Sequence, residues 1–420
     1  LDGADLLRAI LMTRAAKEKY HGTSATSEVR EFRIRMGMEL DLMNLWFGKT
    51  ADYFKQFISD QTIGMARINR FDFTTLPINL LYLLYYEYRR NEKESLNFSF
   101  FEYGKNSNGN PDDDRWEMYL ELQEMYAILQ RWYNDKELYH YLGFLFFNFK
   151  AQTPFRDIYT QWKALNSRDK FLKDIQHTIA TRMLDRYLEE TEKAAPDYQK
   201  CLKTMTEAIS DFRENWYNND KELYQILILL DIFRILDSKS IKKLPTDYFT
   251  RKSGQKDGED KEHILSQTPR KDNGEIATIK TDWEKFAQSE DFKDIRSQMQ
   301  DILNHSDAEL TEQELIQLQN LLNSAGLNSI GNMVLLDLRI NRSYGNADYA
   351  HKRTIIFQEY MNQKYVRPHT LAVFMKGDID AREATGIPLN RWTLEDIKRN
   401  TDKIAKEIGK NFNAWLTQNN

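Results

Sequence analysis

Apolar residues recur at three- and four-residue steps through most of the first 245 residues, the period that lines one face of a helix. Leu6, Leu7, Ile10 and Leu11 form the first stripe, with Asp2 or Asp5 as its opening acid. Met36, Leu40, Met43 and Phe47 form another, and Met118, Leu122, Met125, Tyr126 and Leu129 a third. Asp112–Asp114 precede that third stripe. Carboxylates there suit the positive end of a helix dipole, and with no other ligand type nearby the run reads as a helix start, not a metal site. Ile78 to Tyr86 is the most apolar run, too short to span a bilayer and closed by Glu87, Arg89 and Arg90, so it reads as a buried helix. Trp132-Tyr-Asn-Asp-Lys-Glu-Leu-Tyr139 is echoed by Trp216-Tyr-Asn-Asn-Asp-Lys-Glu-Leu-Tyr224, a capped start used twice or a duplicated helical hairpin.

The pattern breaks at Arg251–Lys261, which has two glycines and no apolar residue and is expected to be an exposed loop at a domain boundary. Glu262-His263-Ile264-Leu265 follows as a short strand. Residues 281–324 return to helical periodicity, with Trp283 and Phe286, then Leu315, Leu318, Leu321 and Leu322. Met333–Leu336 suits a buried strand. A polar loop with Asn341, Gly345 and Asn346 at turn positions comes next, then a helical segment opening with Lys352 and Arg353. Arg367-Pro368-His369-Thr370 reads as a turn, and Thr393–Asp396 as a capping box for a helix with Ile397, Ile404, Ile408, Phe412 and Trp415 on one face. The expected fold class is mainly α: a multi-helical region over 1–245, a small ββα domain with a helical insertion over 250–365, and a helical tail over 366–420 packed on it.

Charge narrows the partners. Lys and Arg total 59 against 64 Asp and Glu, so no chain-wide basic surface exists for nucleic acid and any such contact is local. Residues 331–376 carry seven basic side chains against three acids, which fits a phosphate track or a solvated face about equally. The single cysteine, Cys201, excludes an intrachain disulfide and an all-cysteine zinc site, which fits a reducing cytoplasm. Neither a signal peptide nor a membrane partner is expected.

The Glu262–Arg353 segment carries chemistry suited to phosphodiester hydrolysis. A neutral histidine can activate water, and a hard divalent cation on oxygen ligands can stabilise the leaving oxygen. His263 offers the first, Glu262 and Asn341 offer oxygens for the second, and Lys352 and Arg353 could hold a phosphate. Neighbours on a regular strand face opposite ways, so Glu262 and His263 share one site only if the strand ends or bends there. Plainer roles stand beside these: a capping or surface His263, a loop-bracing Asn332, and turn roles for Asn341 and Asn346. His140, His305, His351 and His369 have no comparable setting and read as structural or solvated.

Glu262-His263-Ile264, Asn328-Ser-Ile-Gly-Asn332-Met-Val-Leu-Leu, Asn341, Ser343, Asn346 and Lys352-Arg353 together resemble the HNH (ββα-metal) nuclease domain of GmrSD-type restriction endonucleases, modification-dependent (type IV) bacterial defence enzymes. The nine-residue step from Asn332 to Asn341 is also similar to the HNH domain of RNA-guided CRISPR nucleases. The resemblance implies Mg²⁺ (or Mn²⁺) on Glu262 and Asn341, His263 as general base, Asn332 positioning the histidine loop, Asp260 behind the ligands at most, and phosphate at Lys352 and Arg353. Arg367–Thr370 through Val373-Phe374, and Trp392, are similar to the family's tail. Leu1–Ile10 is similar to the segment after the family's N-terminal nucleotide-binding domain, whose Asp-Gly-Gln-Gln-Arg motif does not occur in the sequence. NTP is therefore implied only through a partner domain upstream of Leu1. Two departures are Ser266, where Pro or Ala is usual before Gln267, and Glu262, where CRISPR nucleases carry Asp. The implied function is metal-dependent cleavage of double-stranded DNA, foreign or base-modified. The alternatives are a catalytically inactive helical DNA-sensing or protein-interaction subunit and, third, an NTP-driven sensor whose motor lies elsewhere.

Overall fold

The structure, a computed structural model, describes residues 2–19, 27–90, 95–97, 100–101, 115–239, 242–251, 258–266, 268–269, 275–340, 349–376 and 390–418. The expected Asp112–Asp114 helix start and the Asn341–Asn346 turn lie outside them. The described chain is mainly helical and divides into two compact units, Leu1–Ile175 and Gln176–Asn420.

In the first unit α1 spans Gly3–Ile10, α2 Ser27–Phe54, α3 Asp60–Ile68, α4 Asn79–Arg89, α5 Arg115–Asn134, α6 Lys136–Phe149 and α7 Phe155–Leu165. Asp2 caps α1 by accepting from the Ala4 N–H at 2.9 Å, while Asp5 sits in its first turn. Leu7 and Leu11 are buried with Ala4, but Leu6 is exposed, because the three-and-four step that includes Leu7 turns Leu6 away from the core. The predicted stripe of α2 is buried, as is that of α5 except for the half-buried Tyr126, and so is the apolar run now within α4. Asp135 caps α6 by accepting from the Glu137 and Leu138 N–H groups, both at 3.0 Å. The aromatic residues are core: Tyr53 stacks on Tyr139 at 4.7 Å, and Trp132 on Phe171 at 5.5 Å.

In the second unit, α8 (Tyr198–Ser210) and α9 (Asp220–Asp237) precede strand β1 (Glu259–His263). Three inserted helices follow, α10 (Lys280–Ala287), α11 (Arg296–Asn304) and α12 (Glu312–Ser324), before strand β2 (Met333–Asp337). Helices α13 (Tyr349–Met361), α14 (Pro368–Met375) and α15 (Leu394–Thr417) complete it. β1 and β2 pair antiparallel, with Glu259 opposite Asp337, Glu262 opposite Val334 and His263 opposite Met333. Met333–Leu336 are all buried, which explains why β2 reads as a continuous apolar run. Val334 and Leu336 join a core with Trp283, Met299, Leu318 and Ile356, so the insertion and α13 cover the sheet.

Two expectations need correction. The expected loop over Arg251–Lys261 ends earlier, because Glu259–Lys261 already belong to β1 and Glu259 is buried. Its carboxylate is neutralised by Arg367, a partner 108 residues away that local composition does not reveal. The expected Arg367–Thr370 turn is the start of α14, with Arg367 at its N-cap and Pro368 in its first turn. The Thr393–Asp396 capping box forms as expected and opens α15, whose buried face is the predicted one. Gly331 lies against that helix so closely that a Cβ would stand 2.3 Å from the Ile397 carbonyl oxygen and from Thr401 Oγ1.

Candidate active site

β1 ends at His263, where Asn328 and Tyr217 contact its ring. Nε2 lies 2.9 Å from Asn328 Oδ1, while Asn328 Nδ2 donates to Asn323 Oδ1 at 2.6 Å. With its amide nitrogen facing Asn323, Asn328 presents a carbonyl oxygen to the imidazole, an arrangement that suits a proton on Nε2. Tyr217 stacks on the imidazole at 4.7 Å with 21° between planes. The Trp216 N–H donates to the Asn328 carbonyl at 2.9 Å, which brings the Tyr217 segment to the ring. Lys261 lies over Tyr217 at 4.2 Å and its ammonium bonds Asp220.

Glu262 turns to a different partner. Its Oε1 accepts from Lys352 Nζ at 3.1 Å, and the same ammonium donates to the His263 carbonyl at 2.7 Å. Lys352 is 0 % exposed, against 20 % for the Glu262 side chain. Burial pushes the Lys352 pKa down, and Glu262 pulls it partly back. Lys352 therefore fastens α13 to the end of β1 and does not stand exposed toward a phosphate. Arg353 donates from Nε to the Phe374 carbonyl at 2.9 Å and lies over Phe357 at 4.6 Å. Asn341 lies outside the described residues.

Asn332 is fully buried and braces the turn after His263. Its Oδ1 accepts from the Leu265 N–H at 2.8 Å, its Nδ2 donates to the carbonyls of Leu265 (3.1 Å) and Leu327 (2.9 Å), and its own carbonyl accepts from Ile264 N–H. An amide with oxygen and nitrogen both engaged holds two loops in register.

Behind the strand lies a buried ionic cluster that the sequence did not announce. Arg367 donates to both Glu259 oxygens (2.8 and 2.7 Å), to Asp231 Oδ2 (2.8 Å), and to the carbonyls of Tyr248 (3.1 Å) and Thr250 (3.3 Å). Asp231 Oδ1 accepts from the His369 N–H at 2.7 Å, at the positive end of α14. Burial opposes the Arg367 charge, but Glu259 and Asp231 outweigh it and its pKa rises. Burial also pushes the Asp231 carboxyl up, against the pull of Arg367. A second buried pair, Lys376 with Asp396 at 3.0 Å, ties α14 to the cap of α15. Lys352, Arg367 and Lys376 thus make three of the seven basic residues between 331 and 376 internal, which removes much of the apparent phosphate track.

A histidine at the end of a two-stranded sheet is thus held by an amide, with a helix fastened to the same strand end. Residues 206–407 match the family described as GmrSD restriction endonucleases, C-terminal domain, and that part of the chain belongs to it. No curated protein and no solved structure matches it. The family is one of restriction-type nucleases, with DNA as substrate. Among the described residues no helix is long and apolar enough to cross a membrane.

Proposed function

We propose that the second unit is an HNH-type, divalent-metal-dependent DNA endonuclease, with His263 as its general base. The observation that carries this is the contact of His263 Nε2 with Asn328 Oδ1 at 2.9 Å, which favours a proton on Nε2 and a lone pair on Nδ1 of an oriented ring. Nδ1 takes a proton from water as that water attacks phosphorus. The Asn328 carbonyl oxygen and the Tyr217 face then stabilise and orient the imidazolium. Asn332 keeps the turn after His263 in place and touches no substrate.

The donor set suits a hard cation in kind, since Mg²⁺ is commonly held by one or two protein oxygens with water and phosphate completing the shell. Glu262 supplies one such oxygen from a partly open position, and Asn341 would supply the second. Among the described residues no three His, Cys, Asp or Glu side chains converge as a closed site. The cation would stabilise charge on the leaving oxygen. Arg353 is the remaining candidate for phosphate contact. Base-modified foreign DNA as substrate, a nucleotide-binding partner domain and a cytoplasmic setting extend the same reading.

One observation favours the second reading, a non-catalytic DNA-sensing subunit: the Lys352 ammonium already neutralises Glu262. A nicking assay on supercoiled plasmid, plain and base-modified, with and without Mg²⁺ or Mn²⁺, separates the two. Catalysis predicts metal-dependent nicking that drops about 10²–10⁴-fold in His263→Ala, the usual contribution of a general base. DNA binding without cleavage under either metal would leave the sensing subunit. Nicking undiminished in His263→Ala would remove the base from the mechanism.

A further inference from the structure

Helix α2 has two apolar faces, and only one of them is in the core. Val29, Phe32, Met36, Leu40, Met43 and Phe47 are buried. On the other side Ile34, Met38, Leu42 and Leu45 are 56 %, 62 %, 62 % and 63 % exposed. Steps of four, four and three residues keep these within about 80° of arc around the helix. Rotation cannot hide them without exposing the core stripe. Single exposed leucines are ordinary, but a contiguous row marks a surface awaiting a partner.

The row is also symmetric about residue 40 to within one residue. Reading outward, Met38 and Leu42 come first, then Ile34 and Leu45, then Glu31 and Lys49. In a two-fold antiparallel pair of helices, residue i faces residue 80 minus i of the other copy. Met38 then meets Leu42 and Glu31 meets Lys49, each contact made twice, while Ile34 and Leu45 fall one position from direct opposition. A parallel pair would instead set Glu31 against Glu31 and Lys49 against Lys49. Two like-charge juxtapositions of the antiparallel register, Glu28 with Asp52 and Glu39 with Asp41, are offset within each molecule. Lys55 pairs with Asp52 at 2.5 Å, and Arg8 pairs with Asp41.

We propose that the exposed face of α2 is a self-association surface, on which a second copy of this chain docks antiparallel. The four apolar side chains and their charged ends would cover about 500 Å² per copy, near the lower limit for a specific interface.

Sedimentation equilibrium of the full chain, from low to high micromolar, tests this. The wild type should shift from monomer to dimer, and Met38→Glu/Leu42→Glu should stay monomeric. Glu31→Lys and Lys49→Glu, each placing like charges opposite twice, should weaken dimerisation by about tenfold or more. The double reversal Glu31→Lys/Lys49→Glu should restore it, a rescue that no other register or occupant gives. Circular dichroism should be unchanged, since every altered side chain is exposed, and the charge reversals carry the test should the apolar-to-Glu variant misfold. A wild type that stays monomeric throughout, a dimer indifferent to the two glutamates, or a double reversal as weak as the single ones would overturn the proposal.

Discussion

Replacing Arg367 with Met would remove the cation that Glu259 and Asp231 share, leaving two carboxylates at 2 % and 0 % exposure without it. Removing one partner from a buried pair costs about 3–5 kcal/mol, and nothing here is screened by water. The Tyr248 and Thr250 carbonyls lose a donor as well, while protonation of one carboxyl limits the damage. A loss of about 4 kcal/mol follows, a large part of a domain's usual 5–15. Amide exchange of β1 and α14, read as an opening free energy, should fall by that amount. The pH dependence has a definite sign. In the variant, burial without the Arg367 counter-charge raises the folded-state pKa of Asp231 further above the unfolded value of about 4. Between those values the folded state binds more protons than the unfolded, so stability falls as pH rises. The deficit should therefore be smaller at pH 5 than at pH 7. A loss below about 1 kcal/mol, or a deficit indifferent to pH, would show that the cluster does not fasten β1.

Three further outcomes follow from the same geometry. Lys352→Met should cost about 3 kcal/mol in EDTA and, with Glu262 relieved of its ammonium, show a larger Mg²⁺-dependent rise in Tm than the wild type; equal rises would argue against Glu262 as a ligand. Asn328→Asp should raise the His263 pKa through a carboxylate on Nε2, moving the acid limb of the nicking pH profile upward, whereas Asn328→Ala should slow nicking with KM for DNA unchanged; an unmoved limb would separate Asn328 from the base. Gly331→Ala would force a Cβ against the Ile397 carbonyl and Thr401, costing about 1–3 kcal/mol by thermal melting and displacing the turn that Asn332 braces; an unchanged Tm would deny that close approach a structural role.

Helices announced themselves where burial is local. The stripes of α2 and α5, the apolar run in α4 and the capping box of α15 depend on neighbours three or four positions away, so periodicity alone located them. β2 was legible because an unbroken apolar run of that length has few other uses. β1 was half legible: its glutamate and histidine stood out, but its first residue looked like solvated loop. The motif-level likeness around His263 was sufficient for the family, which the match over 206–407 bears out.

What the sequence determined by itself was the helical class, the family and the segments from which a site could be made. Tertiary structure decided which charges belong to solvent and which to the interior. Glu259 reads as exposed loop and Arg367 as a turn until a strand and a helix start bring them, with Asp231 of a buried helix, within hydrogen-bonding distance. It also turned Lys352 inward and set Tyr217 and Asn328 around His263. The reason is physical: a side chain's periodicity is written in its immediate neighbours, whereas the stability of a buried charge depends on a counter-charge that can lie a hundred residues away.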